Sequence, residues 1–100
     1  MRRPTRAAMV KVHFKAEYAL EFGETYELRL GERTTLRELL ERLCQVFGKR
    51  FRLGVYDPEK GALMNVIIKI GLSSKKAVES LDVPVGDEDD VVIWPLDLGG

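Results

Sequence analysis

The sequence predicts an α+β domain in two layers, with a mixed sheet of about four to five strands and one main helix packed across one face. Two observations lead to this class. Two segments of alternating apolar and polar residues in the first third of the chain and short apolar segments near its end predict strands, whereas a single long amphipathic segment predicts one helix. The chain has 100 residues, a length that suits one small domain with its own core.

The first two strands are predicted from strict alternation. In VKVHFKA, residues 10–16, the two valines and the phenylalanine point to one face, and the lysines and the histidine point to the other. TYELRL, residues 25–30, repeats this pattern. Gly23 lies between the two segments in a predicted turn, so we expect an antiparallel hairpin joined by a loop.

The main helix is predicted in TTLRELLERLCQVFG, residues 34–48. Thr35 is followed three residues later by Glu38, which is the spacing of a capping box. Leucines and a phenylalanine recur at helical spacing and form one apolar stripe. Gly48 stands where a glycine with positive φ commonly ends a helix. We expect the stripe to pack against the sheet.

The second half of the chain predicts short strands and turns. Residues 52–71 are interpreted as two short strands around a loop, and residues 73–81 as one or two helical turns. The acidic segment 84–90 is interpreted as a turn. VVIW, residues 91–94, predicts the last strand, which Pro95 ends by removing a backbone donor.

This order of elements allows the first and last strands to pair in parallel at the centre of the sheet. That topology resembles the β-grasp arrangement of ubiquitin-like proteins. We divide the chain into a disordered arm (residues 1–8), a β-grasp domain (residues 9–95) and a flexible tail that ends in Gly-Gly (residues 96–100).

Composition excludes several functional classes. Basic and acidic residues number 16 each, so the formal net charge is zero, and we expect no nucleic-acid partner. No apolar run approaches the roughly 20 residues of a membrane helix, and the N-terminus lacks the apolar region of a secretory signal. We therefore expect a cytoplasmic protein with no membrane partner. The single cysteine cannot form an internal disulfide.

The sequence contains no self-contained catalytic or metal-binding motif. His13 alternates with lysines on a polar strand face and has no evident partner for catalysis or metal binding. Cys44 lies in the predicted helix and is interpreted as a buried, unreactive thiol. The acidic run at 87–90 lacks the glycine and the distal glutamate of a calcium loop, so we interpret it as a solvated turn and expect no metal site.

The end of the chain contains the most unusual pattern. Every residue of VVIW is apolar, so alternate residues face the core and the opposite, uncovered side of the sheet. An exposed apolar patch of this kind marks a partner site. The predicted partner-binding residues are Ile67, Val92, Trp94, Leu96 and Leu98. Alternatively, the tail folds back and covers the patch.

The final two glycines suggest a reactive chain end. Glycine has no Cβ, so it passes through a narrow approach and adopts any φ that the approach needs. A terminal glycine also leaves its carboxylate open to attack. Gly99 and Gly100 are therefore explained if the carboxylate of Gly100 reacts in an active site that another protein supplies.

The segment LDVPVGDEDDVVIWPLDLGG, residues 81–100, resembles the C-terminal segment of the small subunit of molybdopterin synthase. The strand that starts at Met9, the capped helix from Thr35 and NVIIKIG from Asn65 occur in corresponding places and in the same order. The resemblance therefore covers nearly the whole chain after the arm.

This resemblance implies a ubiquitin-like sulfur carrier, a non-catalytic subunit of a sulfurtransferase complex. An adenylating enzyme of the ubiquitin-activating type would use ATP and a sulfur donor to convert Gly100 to a thiocarboxylate, with no cofactor bound to the carrier itself. Gly99 would form the narrow part of the tail directly before Gly100. Trp94 occupies the position of an apolar residue that contacts the partner, and the large subunit of molybdopterin synthase would receive the tail.

Four other functions remain open at this point. Related proteins are ubiquitin-like modifiers that are conjugated to lysines, or donate sulfur in tRNA thiolation or thiamine synthesis. A β-grasp binding module whose tail is never activated is a further alternative. The sequence does not indicate which molecule finally accepts the sulfur.

Overall fold

The computed structural model describes residues 8–31, 34–86 and 89–96. The predicted arm and tail therefore lie outside the described residues, except for Ala8 and Leu96. In chain order the elements are β1 (Ala8–Phe14), α1 (Glu17–Phe22), β2 (Thr25–Leu30), β3 (Thr34–Thr35), α2 (Leu36–Phe47), α3 (Lys49–Gly54), β4 (Tyr56–Asp57), β5 (Ala62–Leu63), β6 (Val66–Ile70), β7 (Pro84–Val85) and β8 (Asp90–Pro95).

The main sheet has four strands in the order β2-β1-β8-β6. Strand β1 pairs antiparallel with β2 and parallel with β8, where Val12 lies opposite Val91. Strand β6 pairs antiparallel with β8 and forms the other edge. The predicted parallel pairing of the first and last strands at the sheet centre is confirmed. Two short ladders, β3 with β7 and β4 with β5, lie outside this sheet.

Helix α2 covers one face of the sheet, as the sequence predicts. Its capping box is formed: the Thr35 backbone N–H donates to the Glu38 carboxylate at 3.0 Å, and the Glu38 N–H donates to the Thr35 hydroxyl at 3.4 Å. The helix ends at Gly48, whose φ of 76° is accessible to glycine at little cost. The buried side chains of the stripe are Leu36, Leu39, Leu40, Leu43 and Cys44.

Two short helices differ from the sequence prediction. Helix α1 replaces the simple loop expected between the first two strands, because Tyr18 and Phe22 lie one turn apart and both enter the core. Helix α3 begins directly after Gly48 and buries Phe51 completely. The rings of Phe22 and Phe51 lie 5.6 Å apart in an edge-on arrangement. An aromatic cluster therefore extends the core beyond α2.

The helical turns predicted in residues 73–81 are wrong, because this segment consists of turns, bends and irregular backbone. Its backbone groups bond to neighbouring elements instead. The Val78 N–H donates to the Ile68 carbonyl at 2.8 Å, and the N–H groups at the start of α2, Leu36 and Arg37, donate to the carbonyls of Val83 and Leu81 at 2.9 and 2.8 Å. Tertiary hydrogen bonds therefore replace the local helical ones.

Candidate partner-binding site

The end of β8 is held from both sides. The Lys15 N–H donates to the Ile93 carbonyl at 3.1 Å, and the Leu96 N–H donates to the Asn65 carbonyl at 2.8 Å. Two non-glycine residues with positive φ flank this point, Ala16 at 55° and Asn65 at 48°. Such conformations cost free energy and persist only where surrounding contacts enforce them. The place where the chain leaves the sheet is therefore fixed.

Trp94 lies on the sheet face opposite α2, as predicted, and 39% of it is exposed. It stands across from half-buried Ile67 on β6. The Lys69 ammonium lies 4.7 Å from the centroid of the Trp94 ring, which is a cation–π geometry. The indole is therefore oriented by two neighbours and remains accessible to a partner.

The predicted exposure of Val92 is wrong. Val92 does lie on the open face, but only 5% of it is accessible. The register places it between His13 of β1 and Lys69 of β6, whose longer side chains flank the short valine on the two neighbouring strands. The His13 Nε2 atom is 2.8 Å from a carboxylate oxygen of Asp90, so this imidazole is engaged with the adjacent strand. Val92 supports the face from beneath and is not part of its accessible surface.

A shallow apolar groove lies on the other side of the chain exit. Its lining includes Leu53, Met64, Pro95 and Leu96, with Glu17 at one side, and its volume is about 390 Å³. Leu53 is 66% exposed and Leu96 is 42% exposed. The Leu53 side of this groove does not follow from the sequence pattern, because that pattern does not predict α3. Within such a helix, the burial of Phe51 would have placed Leu53 on the outer side.

Three of the predicted site residues, Leu98, Gly99 and Gly100, lie outside the described residues. Their roles remain predictions from the sequence. The structure brings the other predicted residues to one end of the sheet, because Trp94 and Leu96 belong to β8 and its continuation, and Ile67 lies opposite Trp94.

Among the described residues, the other side chains with chemically reactive groups do not assemble into a site. Cys44 is buried, its thiol donates to the Tyr56 carbonyl at 3.6 Å, and burial raises the pKa of the thiol. In the described ranges, no group of three or more histidine, cysteine, aspartate or glutamate side chains is arranged to hold a metal ion. No helix in the described part of the chain is both long and apolar enough to cross a membrane.

Neither a protein-family model nor a curated protein matches the chain. Solved structures do match it. SAMP1 from Haloferax volcanii has a TM-score of 0.73 and 16% identity, and the match covers 93% of this chain and 100% of that one. Urm1 from Trypanosoma brucei has a TM-score of 0.66 and 20% identity, with 97% and 100% covered. At these identities the likeness shows the fold.

A third structure is more similar in sequence. A putative molybdopterin converting factor, subunit 1, from Pyrococcus furiosus has a TM-score of 0.68 and 27% identity, and the match covers 88% of this chain and 97% of that one. The chain therefore has the ubiquitin-like β-grasp fold, and it is similar to the ubiquitin-like sulfur carriers that its C-terminal segment resembles.

Proposed function

We propose that the chain is a sulfur carrier whose Gly100 carboxylate is adenylated and converted to a thiocarboxylate, and that it donates this sulfur in molybdopterin biosynthesis. The observation that carries the proposal is the 27% identity to the molybdopterin converting factor subunit over 88% of this chain. The resemblance of residues 81–100 to the small subunit of molybdopterin synthase points to the same function.

The proposed chemistry first activates the Gly100 carboxylate and then replaces one of its oxygen atoms with sulfur. A carboxylate oxygen of Gly100 attacks the α-phosphorus of ATP, pyrophosphate leaves, and an acyl adenylate forms. Sulfur at the oxidation level of sulfide, from a donor, then attacks the carbonyl carbon, and the bond to AMP breaks. The product is a thiocarboxylate. Its sulfur then attacks a carbon of the pterin precursor and displaces an oxygen leaving group, and water cleaves the resulting thioester to restore the Gly100 carboxylate and leave the sulfur on the pterin.

The described residues around the end of β8 support a carrier whose terminal carboxylate reacts in the active site of another protein. Trp94, Leu96 and Leu53 present apolar surface on both sides of the point where β8 ends. Exposed aromatic and aliphatic side chains of this kind serve as anchors in interfaces. We propose that this surface binds an adenylating enzyme of the ubiquitin-activating type and, in turn, the large subunit of molybdopterin synthase.

The roles of the tail follow from its residues. Gly99 and Gly100 carry no Cβ, which suits a narrow channel. Four residues beyond Leu96 reach at most about 14 Å when extended, so a partner must contact the surface around the exit to receive Gly100. We propose that Ile67, Trp94, Leu96 and Leu98 make these contacts, with Val92 supporting the face from within.

The final acceptor is tested by supplying thiocarboxylated protein with different acceptors. One reaction contains the large subunit of molybdopterin synthase and a pterin precursor, a second contains unmodified tRNA with a thiolation enzyme, and a third contains a cell extract that is searched for lysine-linked adducts. The same protein with an ordinary carboxylate is the control. Sulfur in the pterin product supports the proposal. Sulfur in tRNA, or lysine adducts with no pterin product, would replace it with another carrier function or a modifier.

A further inference from the structure

The outer edge of β2 presents unpaired backbone groups. The Phe14 N–H donates to the Glu24 carbonyl at 2.9 Å, and Val12 lies opposite Tyr26. Hydrogen-bonded pairs alternate in an antiparallel ladder, so the even-numbered residues of β2 bond to β1. The backbone groups of Thr25, Glu27 and Arg29 therefore point away from the sheet. No strand in the described ranges pairs with this edge.

This edge lacks most of the features that prevent strand pairing. Protected edges are usually short, contain proline, are bulged or carry repeated lysines. Strand β2 has six residues, TYELRL, without proline or glycine. Its exposed charges have opposite signs, Glu27 and Arg29, and neither forms an ion pair within the described part of the chain. A second strand with complementary charges can therefore pair here.

We propose that two copies of the chain associate through this edge, with their β2 strands antiparallel and Leu28 opposite Leu28 of the second copy. In this register Glu27 of each copy lies opposite Arg29 of the other. These two residue pairs exchange about four backbone hydrogen bonds. Opposite charges placed across a ladder add to the stability of the pairing.

The alternative registers are less favourable. Only registers that pair odd-numbered with odd-numbered residues are possible, because only those residues have outward backbone groups. Centring the ladder on Glu27 places two carboxylates opposite each other, and centring it on Arg29 places two guanidinium groups opposite each other. Centring on Tyr26 forms no charge pair. The charges therefore select the register centred on Leu28.

The dimer is isologous and leaves the candidate partner site accessible. Its two-fold axis is perpendicular to the sheet, so the four-stranded sheets join into one of eight strands, with both α2 helices on the same side. Strand β1 separates β2 from β8, which keeps both chain exits away from the interface. One strand per copy makes a small interface, so we expect weak, concentration-dependent association. This proposal does not depend on sulfur chemistry.

Charge exchange tests the register. Sedimentation equilibrium over a wide concentration range should show a monomer–dimer equilibrium for the wild-type chain. Glu27→Arg alone and Arg29→Glu alone place like charges opposite each other, so each should weaken association about tenfold or more. An equimolar mixture of these two variants should form a heterodimer, and the double variant Glu27→Arg/Arg29→Glu should associate like the wild type.

A matched pair of control variants tests whether any two chains of opposite net charge associate. Glu79→Arg and Arg50→Glu change the net charge by the same amounts at exposed positions away from β2. Their mixture should associate no more strongly than the wild type. Hydrogen exchange of the Thr25, Glu27 and Arg29 amides should slow as the wild-type concentration rises. A wild-type chain that remains monomeric at all concentrations, or equal association in both mixtures, would overturn the proposal.

Discussion

Replacing Trp94 with alanine should damage partner binding more than folding. Trp94 lies outside the core and is 39% exposed. Within the chain, the substitution removes the cross-strand pair with Ile67 and the cation–π interaction with Lys69, each of about 0.5–1 kcal/mol. The free energy of unfolding should therefore fall by about 1–2 kcal/mol. An aromatic anchor at the centre of an interface contributes about 2–4 kcal/mol, which corresponds to about a 30- to 1000-fold loss of affinity.

Two measurements separate these effects. Urea unfolding gives the change in stability, and isothermal titration calorimetry with the adenylating enzyme and with the large subunit gives the change in affinity. The control is Leu40→Ala, because Leu40 is completely buried in the core. It should reduce stability by about 2–5 kcal/mol and leave affinity unchanged in the folded protein. A Trp94→Ala variant that loses several kcal/mol of stability but binds both partners normally would refute the assignment of Trp94 to the interface.

Three further predictions concern folding. Leu40→Asp should abolish cooperative thermal melting, because it buries an unpaired carboxylate at a cost of several kcal/mol, whereas Leu53→Asp on the exposed side of α3 should melt like the wild type. Ala16→Gly should raise the free energy of unfolding in urea by about 1 kcal/mol, because it relieves a positive φ; a decrease of that size would contradict the strained conformation. Burial, followed by two nearby glutamates, raises the pKa of Tyr18. The folded chain therefore keeps this proton where the unfolded chain releases it, and stability should decline above about pH 10. Tyr18→Phe removes the hydrogen bond to the Gly54 carbonyl, so it should be less stable at neutral pH but show a shallower alkaline decline; equal slopes would exclude this contribution.

The strands and the main helix are predictable because their patterns are local. Alternation in residues 10–14 and 25–30 assigns the inner and outer faces of β1 and β2 correctly, and the Thr35–Glu38 spacing locates the start of α2. The position of Trp94 on the open face follows from the same period of two. The parallel pairing of the first and last strands is predictable because the helix and the other strands lie between them in the sequence, and a parallel pair needs a long connection.

The features that the sequence does not reveal depend on tertiary interactions. Helices α1 and α3 have six residues each, too few to form without the aromatic cluster on which they pack. Residues 73–81 contain helix-forming residues, but their backbone bonds to β6 and to the start of α2. The low exposure of Val92 depends on its surroundings in the folded sheet, which alternation along one strand does not encode.

The most direct test of the proposed function is whether Gly100 becomes a thiocarboxylate. The intact chain and a variant without Gly100 are incubated with the adenylating enzyme, ATP and a sulfur donor, and both are measured by intact and C-terminal-peptide mass spectrometry. Removing one residue shortens the reach by about 3.5 Å, which is enough to misplace the carboxylate in a site that requires near-attack geometry. The intact chain should gain the mass of one oxygen-to-sulfur exchange, located at Gly100, and the shortened chain should gain nothing. Equal conversion of both chains, or no conversion of the intact chain by an enzyme that demonstrably binds it, would contradict the proposal that Gly100 is the reactive end.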